Sequence, residues 1–269
     1  MVRGREARKI PVATSRNYAG PPALEMIRRA NSHKGLEIRI EKRVPVGIGI
    51  GSSGATAAAC VKAIDSALGL SLSDQTLVQI ASLGEKAVAG SPHADNVAAS
   101  LLGGFVIVYG GWPPRSVSCE LPPNLEVVVT TPKVPVPRNK TRMARSLVPE
   151  SARMGDVVLN LGRASAMAAG FTRGDFELVR EAMEDALIEP HRQKLIPGYS
   201  DVKRGALSSG AFGVAISGAG PSVIALVDHN RCNSRLVARA MVRAFSRHRI
   251  QSAFFVSRPG QGARIVQRE

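Results

Sequence analysis

The stretch Pro45-Val46-Gly47-Ile48-Gly49-Ile50-Gly51-Ser52-Ser53-Gly54-Ala55 is the densest concentration of chemically useful residues in the chain. Residues 36–40 before it alternate apolar and charged side chains, the period of a half-buried strand. After it, an Ala-rich run from Ser53 reads as a helix. The first N–H groups of a helix have no carbonyl one turn back, and the helix dipole adds partial positive charge, so the junction suits an anion. Glycines let the backbone approach the oxygens of a phosphate, because no Cβ intervenes. Ser52 and Ser53 add hydroxyls that donate to phosphate or ligate a hard cation. A Walker loop is excluded, since no Lys stands at the required place. Gly49, Gly51 and Gly54 match a G-x-G-x-x-G dinucleotide spacing. The acid expected about twenty residues on, after a second strand, is lacking. A tight strand-to-helix turn without a ligand is the plain alternative for this loop alone.

A second cluster follows. Glu85 sits at the edge of an apolar helical stripe, one turn after Ala81, where a carboxylate faces either the core side or a cleft. Taken alone, it reads as an ordinary boundary Glu. Beyond it, Gly90-Ser91-Pro92-His93-Ala94-Asp95-Asn96-Val97 packs His, Asp and Asn into four residues of a Gly/Pro-broken loop, before Leu101-Leu102-Gly103-Gly104. Such loops often carry chemistry; an Asx-rich turn capping the next helix is the simpler reading.

The elements that must hold these residues are legible from periodicity. Residues 1–20 are irregular, and 23–30 suit a short helix. A long helix is expected from 53 to 68, with Ala57, Ala58, Val61, Ile64 and Ala67 on one face and Gly69 as terminator. A second helix starts after Ser73, a good N-cap, carries Leu77, Ile80, Ala81, Ala87 and Val88 as its stripe, and stops at Gly90. Residues 105–109 and 125–130 read as strands. Pro132, Pro135 and Pro137 then mark a loop. Helices are expected over 155–169, 175–187 and, with Ser234 as cap, to 247. Strands are expected over 211–216, 223–227 and 252–257. Strands and helices mix without strict alternation, which predicts an α+β architecture. The change of texture near Pro149 sets the expected boundary between domains 1–148 and 149–269.

Composition narrows the class. The 269 residues are 44% hydrophobic and 21% charged, a globular balance, with only 4% aromatics. Cys60, Cys119 and Cys232 are too far apart for a zinc motif and odd in number for a disulfide framework; Cys60 reads as a small core residue. No apolar run is long enough to span a membrane. The basic start has no apolar segment behind it, so it does not read as a signal peptide, and the cytoplasm is the expected compartment. The net charge of +15 invites a nucleic-acid reading. Yet the arginines are scattered, no basic block reaches five residues, and few aromatics are present to stack on bases, so nucleic acid is not the expected partner.

The glycine–serine loop, Glu85, Pro92-His93-x-Asp95-Asn96-Val97 and Leu101-Leu102-Gly103-Gly104 together resemble the central part of the homoserine kinases, within the superfamily that also contains galactose, mevalonate and phosphomevalonate kinases. Ser217-Gly218-Ala219-Gly220-Pro221-Ser222 matches a third element of that superfamily. Thr141-x-x-x-Arg145, Glu189-Pro190-His191-Arg192 and Leu195-Ile196-Pro197-Gly198 resemble the homoserine branch in particular. The resemblance runs from about residue 11 to the end. It implies a two-domain α+β kinase fold: an N-terminal domain with the phosphate loop and long helix, and a ferredoxin-like C-terminal domain.

It also implies roles. Pro45, Gly47, Gly49, Ile50, Gly51, Ser52, Ser53 and Gly54 would wrap ATP, and Ser53 and Glu85 would hold Mg²⁺. His93, Asn96, Thr141, Arg145 and Arg192 would bind the amino-acid substrate, with Asn96 and Arg192 closest to the chemistry. Ser217, Gly218, Gly220 and Ser222 would form the floor. Related sugar and mevalonate kinases have Asp where this chain has Asn96; an amide is no base, so no side-chain general base is expected. Family members begin with a strand and a Gly-Phe-Asp segment whose Asp contributes to substrate binding. Nothing like it precedes Val44, so that segment is expected to be missing here. A homodimer is expected. Two other readings are a sister kinase acting on another small alcohol such as shikimate, against which Asn96 and the Pro-His-x-Asp-Asn order argue, and a non-catalytic nucleotide- or RNA-binding protein.

Overall fold

The computed structural model describes residues 1–4, 7–33, 35–90, 93–137 and 140–267. The chain forms two compact units, one of Met1–Val46, Gly51–Cys119 and Gly260–Glu269, the other of Gly47–Ile50 and Glu120–Pro259.

The first unit is mainly helical. A two-stranded parallel pair, β1 (Val2–Arg3) and β2 (Ile40–Glu41), flanks helix α1 (Gly20–Arg29) in sequence. Three further helices follow: α2 (Ser52–Leu68), α3 (Asp74–Ala89) and α4 (Asp95–Leu102). An antiparallel hairpin, β3 (Phe105–Tyr109) with β4 (Arg115–Cys119), completes the unit. Both long helices start and stop on local signals. The Ser73 side chain accepts from the Thr76 N–H to cap α3, and left-handed Gly69 and Gly90 end α2 and α3. Met26, Ala57, Val61, Leu77, Ile80, Val97 and Leu101 build its core.

Some expectations shift. The strand expected at 36–40 reduces to Ile40–Glu41. Ala67 and Ala87 are exposed, and the side chain of Val88 lies outside the described residues. The buried side of α3 keeps Leu77, Ile80 and Ala81 and adds Val78, Gly84 and Glu85. That carries the Glu85 carboxylate onto the packed face. A Cβ at Gly84 would run into the Tyr18 carbonyl, so α3 meets the backbone before α1 at close range there.

The second unit begins with β5 (Leu125–Pro132), followed by α5 (Lys140–Ser146), α6 (Met154–Arg173), α7 (Phe176–Ala182), α8 (Glu189–Arg192) and α9 (Tyr199–Leu207). Then come β6 (Gly213–Ile216), β7 (Val223–Asp228), α10 (Ser234–Arg247) and β8 (Ser252–Ser257). The sheet has the order β6-β7-β5-β8, and every pair is antiparallel. With helices in the β5-to-β6 and β7-to-β8 connections, this is the ferredoxin-like arrangement. One row of the sheet runs Val214, Ala225, Val128, Val256 by register, and this face packs on Val202 and Ala206 of α9 and Val237, Met241 and Phe245 of α10. The opposite side of α10 exposes Arg235, Arg239, Arg243 and Arg247 at a spacing of four, so part of the positive charge is one helix face. Asn233, one residue before the expected Ser234, caps α10 by accepting from the Arg235 N–H.

The expected boundary at 148/149 falls inside this unit. Residues 125–132 are already a central strand, bonded on both sides to segments about a hundred residues later in the chain. Among the described residues, no helix is long and apolar enough to cross a membrane.

Candidate active site

The glycine loop belongs to both units along the chain, with Gly47–Ile50 in the second and Pro45, Val46 and the residues from Gly51 onward in the first.

In the first unit, α2 starts at Ser52 behind Gly51, whose φ of 73° is left-handed. That backbone turn lets the chain enter the helix abruptly, with the N–H groups of the first turn lacking carbonyl partners one turn back. Ser52 faces inward: its hydroxyl donates to the Val44 carbonyl at 3.0 Å. Ser53 points the other way, and its Oγ donates to Glu85 Oε1 at 2.9 Å. Glu85 is only 8% exposed. This pair, a hydroxyl and a buried carboxylate side by side at a helix start, is the arrangement that the spacing of 53 and 85 by itself does not reveal. Lys42 reinforces the same turn, donating to the Ser52 carbonyl at 2.5 Å and Thr56 Oγ1 at 2.6 Å.

Asn96 lies in the first turn of α4, against the start of α2. A Cβ at Gly54 would stand 2.8 Å from the Asn96 backbone, and one at Gly51 would stand 3.0 Å from its Oδ1. The Asn96 amide donates to Asp95 Oδ2 at 3.3 Å. His93 and Asn96 are both exposed. Ser91 and Pro92 of the same motif lie outside the described residues.

In the second unit, Gly47–Ile50 interlocks with the turn at 217–222. Ser217 Oγ donates to the Gly49 carbonyl at 3.0 Å, and the Ser222 N–H to the Ile48 carbonyl at 3.3 Å. Gly49 has φ 91°, and a Cβ there would run into the carbonyl oxygens of Ser217 and Gly220, so only glycine fits. Ser222 Oγ shares a hydrogen bond with Thr131 Oγ1 at 2.7 Å, tying the turn to β5.

Thr141 and Arg145 both sit on α5, one turn apart, with Thr141 exposed and Arg145 half-buried. Arg192 at the end of α8 donates from Nε to the Ala144 carbonyl at 3.2 Å, which ties the two arginine-bearing helices together. Arg192 and Gly218 also line one cavity of about 260 Å³, with Arg163, Glu184, Asp185 and Glu189. Asp185 organises that wall. It accepts from the N–H groups of Leu187 at 2.8 Å and of Ile188 and Glu189 at 3.0 Å, and from the Asn160 amide at 2.8 Å. Burial pushes its carboxyl up, but these donors outweigh it and hold the pKa below the ordinary aspartate value. Lys203 bridges Glu189 at 2.6 Å and Glu184 at 3.1 Å.

Two lysines join the picture without any motif to announce them. Lys42 stands before the glycine loop, and Lys140 immediately precedes Thr141. Their only sequence signal is a cation beside a glycine- or proline-rich segment.

Comparison with known proteins shows the family and the fold. The GHMP kinases N terminal domain matches residues 17–104, and the GHMP kinases C terminal domain matches residues 167–247. The homoserine kinase of Thermoplasma acidophilum is 38% identical over 254 residues, covering 94% of this chain and 81% of that one. The homoserine kinase of Methanocella arvoryzae is 38% identical over 269 residues, covering 100% and 85%. The crystal structure of homoserine kinase from Cytophaga hutchinsonii superposes with a TM-score of 0.88 at 33% identity, over 97% of this chain and 82% of that one. With both halves matched by the family's domains and with relatives of this identity along most of its length, the chain belongs to the homoserine kinase family of the GHMP kinases.

Proposed function

We propose that the chain transfers the γ-phosphoryl group of ATP to the side-chain hydroxyl of L-homoserine, giving O-phospho-L-homoserine, a step of threonine biosynthesis. Family membership carries the reaction. The single structural observation that best supports the site is the Ser53–Glu85 pair at the start of α2.

Phosphoryl transfer needs in-line positioning and charge stabilisation more than covalent help from the protein. The N–H groups at the start of α2 and the glycine backbone of Gly47–Ile50 supply donors for phosphate oxygens. The donor set of Ser53 and Glu85 is all oxygen, and among the described residues no group of three His, Cys, Asp or Glu stands together to hold a metal. Two oxygen ligands, with phosphate and water completing the shell, fit the habits of Mg²⁺. Bound there, Mg²⁺ would neutralise charge on the phosphates. Arg145 and Arg192 take the substrate carboxylate, since a guanidinium forms two parallel bonds to it. His93, Asn96 and Thr141 bind the rest of the amino acid. The Asn96 amide orients without accepting a proton, so the hydroxyl proton leaves late, to phosphate or solvent.

We also place the enzyme in the cytoplasm and read it as a homodimer. Exposed Phe254 and Phe255 on the edge strand β8, and Met154, Val158 and Leu161 on α6, favour association. Light scattering of the purified chain tests the dimer; a monomer at micromolar concentration removes it. The activity is tested by a coupled ADP-release assay with homoserine and, in parallel, shikimate. Turnover with homoserine alone supports the assignment; turnover with shikimate alone moves the chain to a sister kinase.

A further inference from the structure

One half-buried cation has no part in the roles assigned above. Lys140 opens α5, and its ammonium donates to the carbonyl of Gly47, at 2.9 Å, and to the carbonyl of Gly220. The two acceptors sit on the two glycine-rich turns that interlock through Gly49 and Ser217. Even partial burial of an ammonium is unfavourable unless charge compensates it. Two neutral carbonyls satisfy two of its three donors and none of its charge.

Among the described residues the surroundings offer little compensation. Neither Gly47–Ile50 nor the turn at 217–222 carries a titratable side chain. On α5 the charged neighbours are Arg142 and Arg145. Helix α8, joined to α5 through Arg192 and Ala144, adds Glu189, His191 and Arg192, of which Glu189 is already paired with Lys203. Burial accordingly brings the Lys140 pKa down to about 8. An under-compensated positive charge therefore sits on the backbone of the glycine loop, and that loop has no lysine of its own between Pro45 and Ala55.

We infer that Lys140 is the cation of the phosphate site: it clamps Gly47 and Gly220 through their carbonyls, and its charge favours the polyphosphate of ATP. This rests on the reading of the glycine loop as the ATP site, and the experiment separates the two.

The affinity of the full chain for a fluorescent ATP analogue, and KM for ATP and for homoserine, are measured for wild type, Lys140→Met and Lys140→Arg. For Lys140→Met, ATP affinity is expected to fall by about tenfold or more, the worth of one charge-assisted contact, with KM for homoserine within about twofold. Lys140→Arg should restore most of the loss. The pH profile supplies a readout that needs no uncharged variant. Between about pH 7 and about pH 9.5 the wild-type KM for ATP should rise as Lys140 loses its proton, while Lys140→Arg stays level, because arginine does not titrate there. Unchanged ATP affinity in Lys140→Met, an equal rise of both KM values, or the same pH profile in wild type and Lys140→Arg would each overturn the assignment. If wild type binds ATP but does not phosphorylate homoserine, the proposed reaction fails while Lys140 is still judged on ATP affinity. If wild type has no ATP affinity, both fail.

Discussion

The glycine loop at 45–54 runs into a 17-residue helix, whereas the turn at 217–222 doubles back between two antiparallel strands. Both are rich in Gly and Ser, yet their hydrogen bonds run in opposite directions. At 217–222 the polar groups are spent inward: Ser217 N bonds the Ser222 carbonyl at 2.9 Å, Ser217 Oγ bonds Gly49, and Ser222 Oγ meets Thr131. At the start of α2 the helix geometry leaves donors without backbone partners, and Ser53 meets a buried carboxylate. Similar composition thus makes a closed turn in one place and leaves backbone donors open in the other. The element that follows the glycines decides which.

The largest effect expected from this contrast is at Ser53 and Glu85. Ser53→Ala and Glu85→Gln should each lower kcat roughly a hundredfold, about 3 kcal/mol of transition-state stabilisation, with melting temperature nearly unchanged. Steady-state kinetics at saturating Mg²⁺ check this, and near-normal turnover in either variant would take that residue out of the metal role.

Next come the glycines themselves. Gly49→Ala places a Cβ against two carbonyls at a left-handed φ, and should cost about 3 kcal/mol of stability. Gly47→Ala has a similar φ of 82° but open space, and should cost only about 1 kcal/mol. Equal losses by chemical denaturation would show that conformation, not the interlock with 217–222, makes glycine necessary.

The substrate side is expected to be milder. Arg145→Lys and Arg192→Lys keep the charge and lose the fork, so each should raise KM for homoserine about tenfold and leave KM for ATP alone. A matching rise in KM for ATP would assign these arginines to the nucleotide.

The smallest effect is a pH dependence of the ligand-free protein. Lys140 holds its proton less tightly folded, at about 8, than its ordinary value of 10.5. Between those values the unfolded chain binds more protons, so the Lys140 contribution to stability grows as pH rises. Lys140→Met should flatten the curve of melting temperature against pH over this window. An unaltered slope would place the ammonium in solvent.

How much of this was legible in the sequence depends on distance along the chain. Helices α2 and α3 announced themselves, because apolar periodicity and the stop signals Gly69 and Gly90 are local. Helix α4 was anticipated only as the helix after an Asx-rich turn, and its start was misplaced because Asp95 and Asn96, good turn formers, lie in its first turn. The hairpin partner β4 is Arg-Ser-Val-Ser-Cys, with too little apolar alternation to stand out, and exists through its pairing with β3. Among the candidate site residues, the glycine loop, Glu85, Asn96, Arg145 and Arg192 were singled out through motif resemblance. Lys42 and Lys140 were not, since a lone lysine carries no pattern until its acceptors are known.

The sequence by itself determined where α2 and α3 begin and end, that the architecture mixes strands and helices, and which short motifs are rich in polar groups. Those properties follow from backbone conformation and side-chain period within a few turns. Only the tertiary structure decided that β5 belongs with β7 and β8, that Glu85 turns inward to Ser53, and that one lysine spans two glycine turns. Each of these joins segments tens to more than a hundred residues apart. Such contacts form only when the packing of whole helices and sheets offsets the entropy of closing long loops, and no local preference encodes that sum.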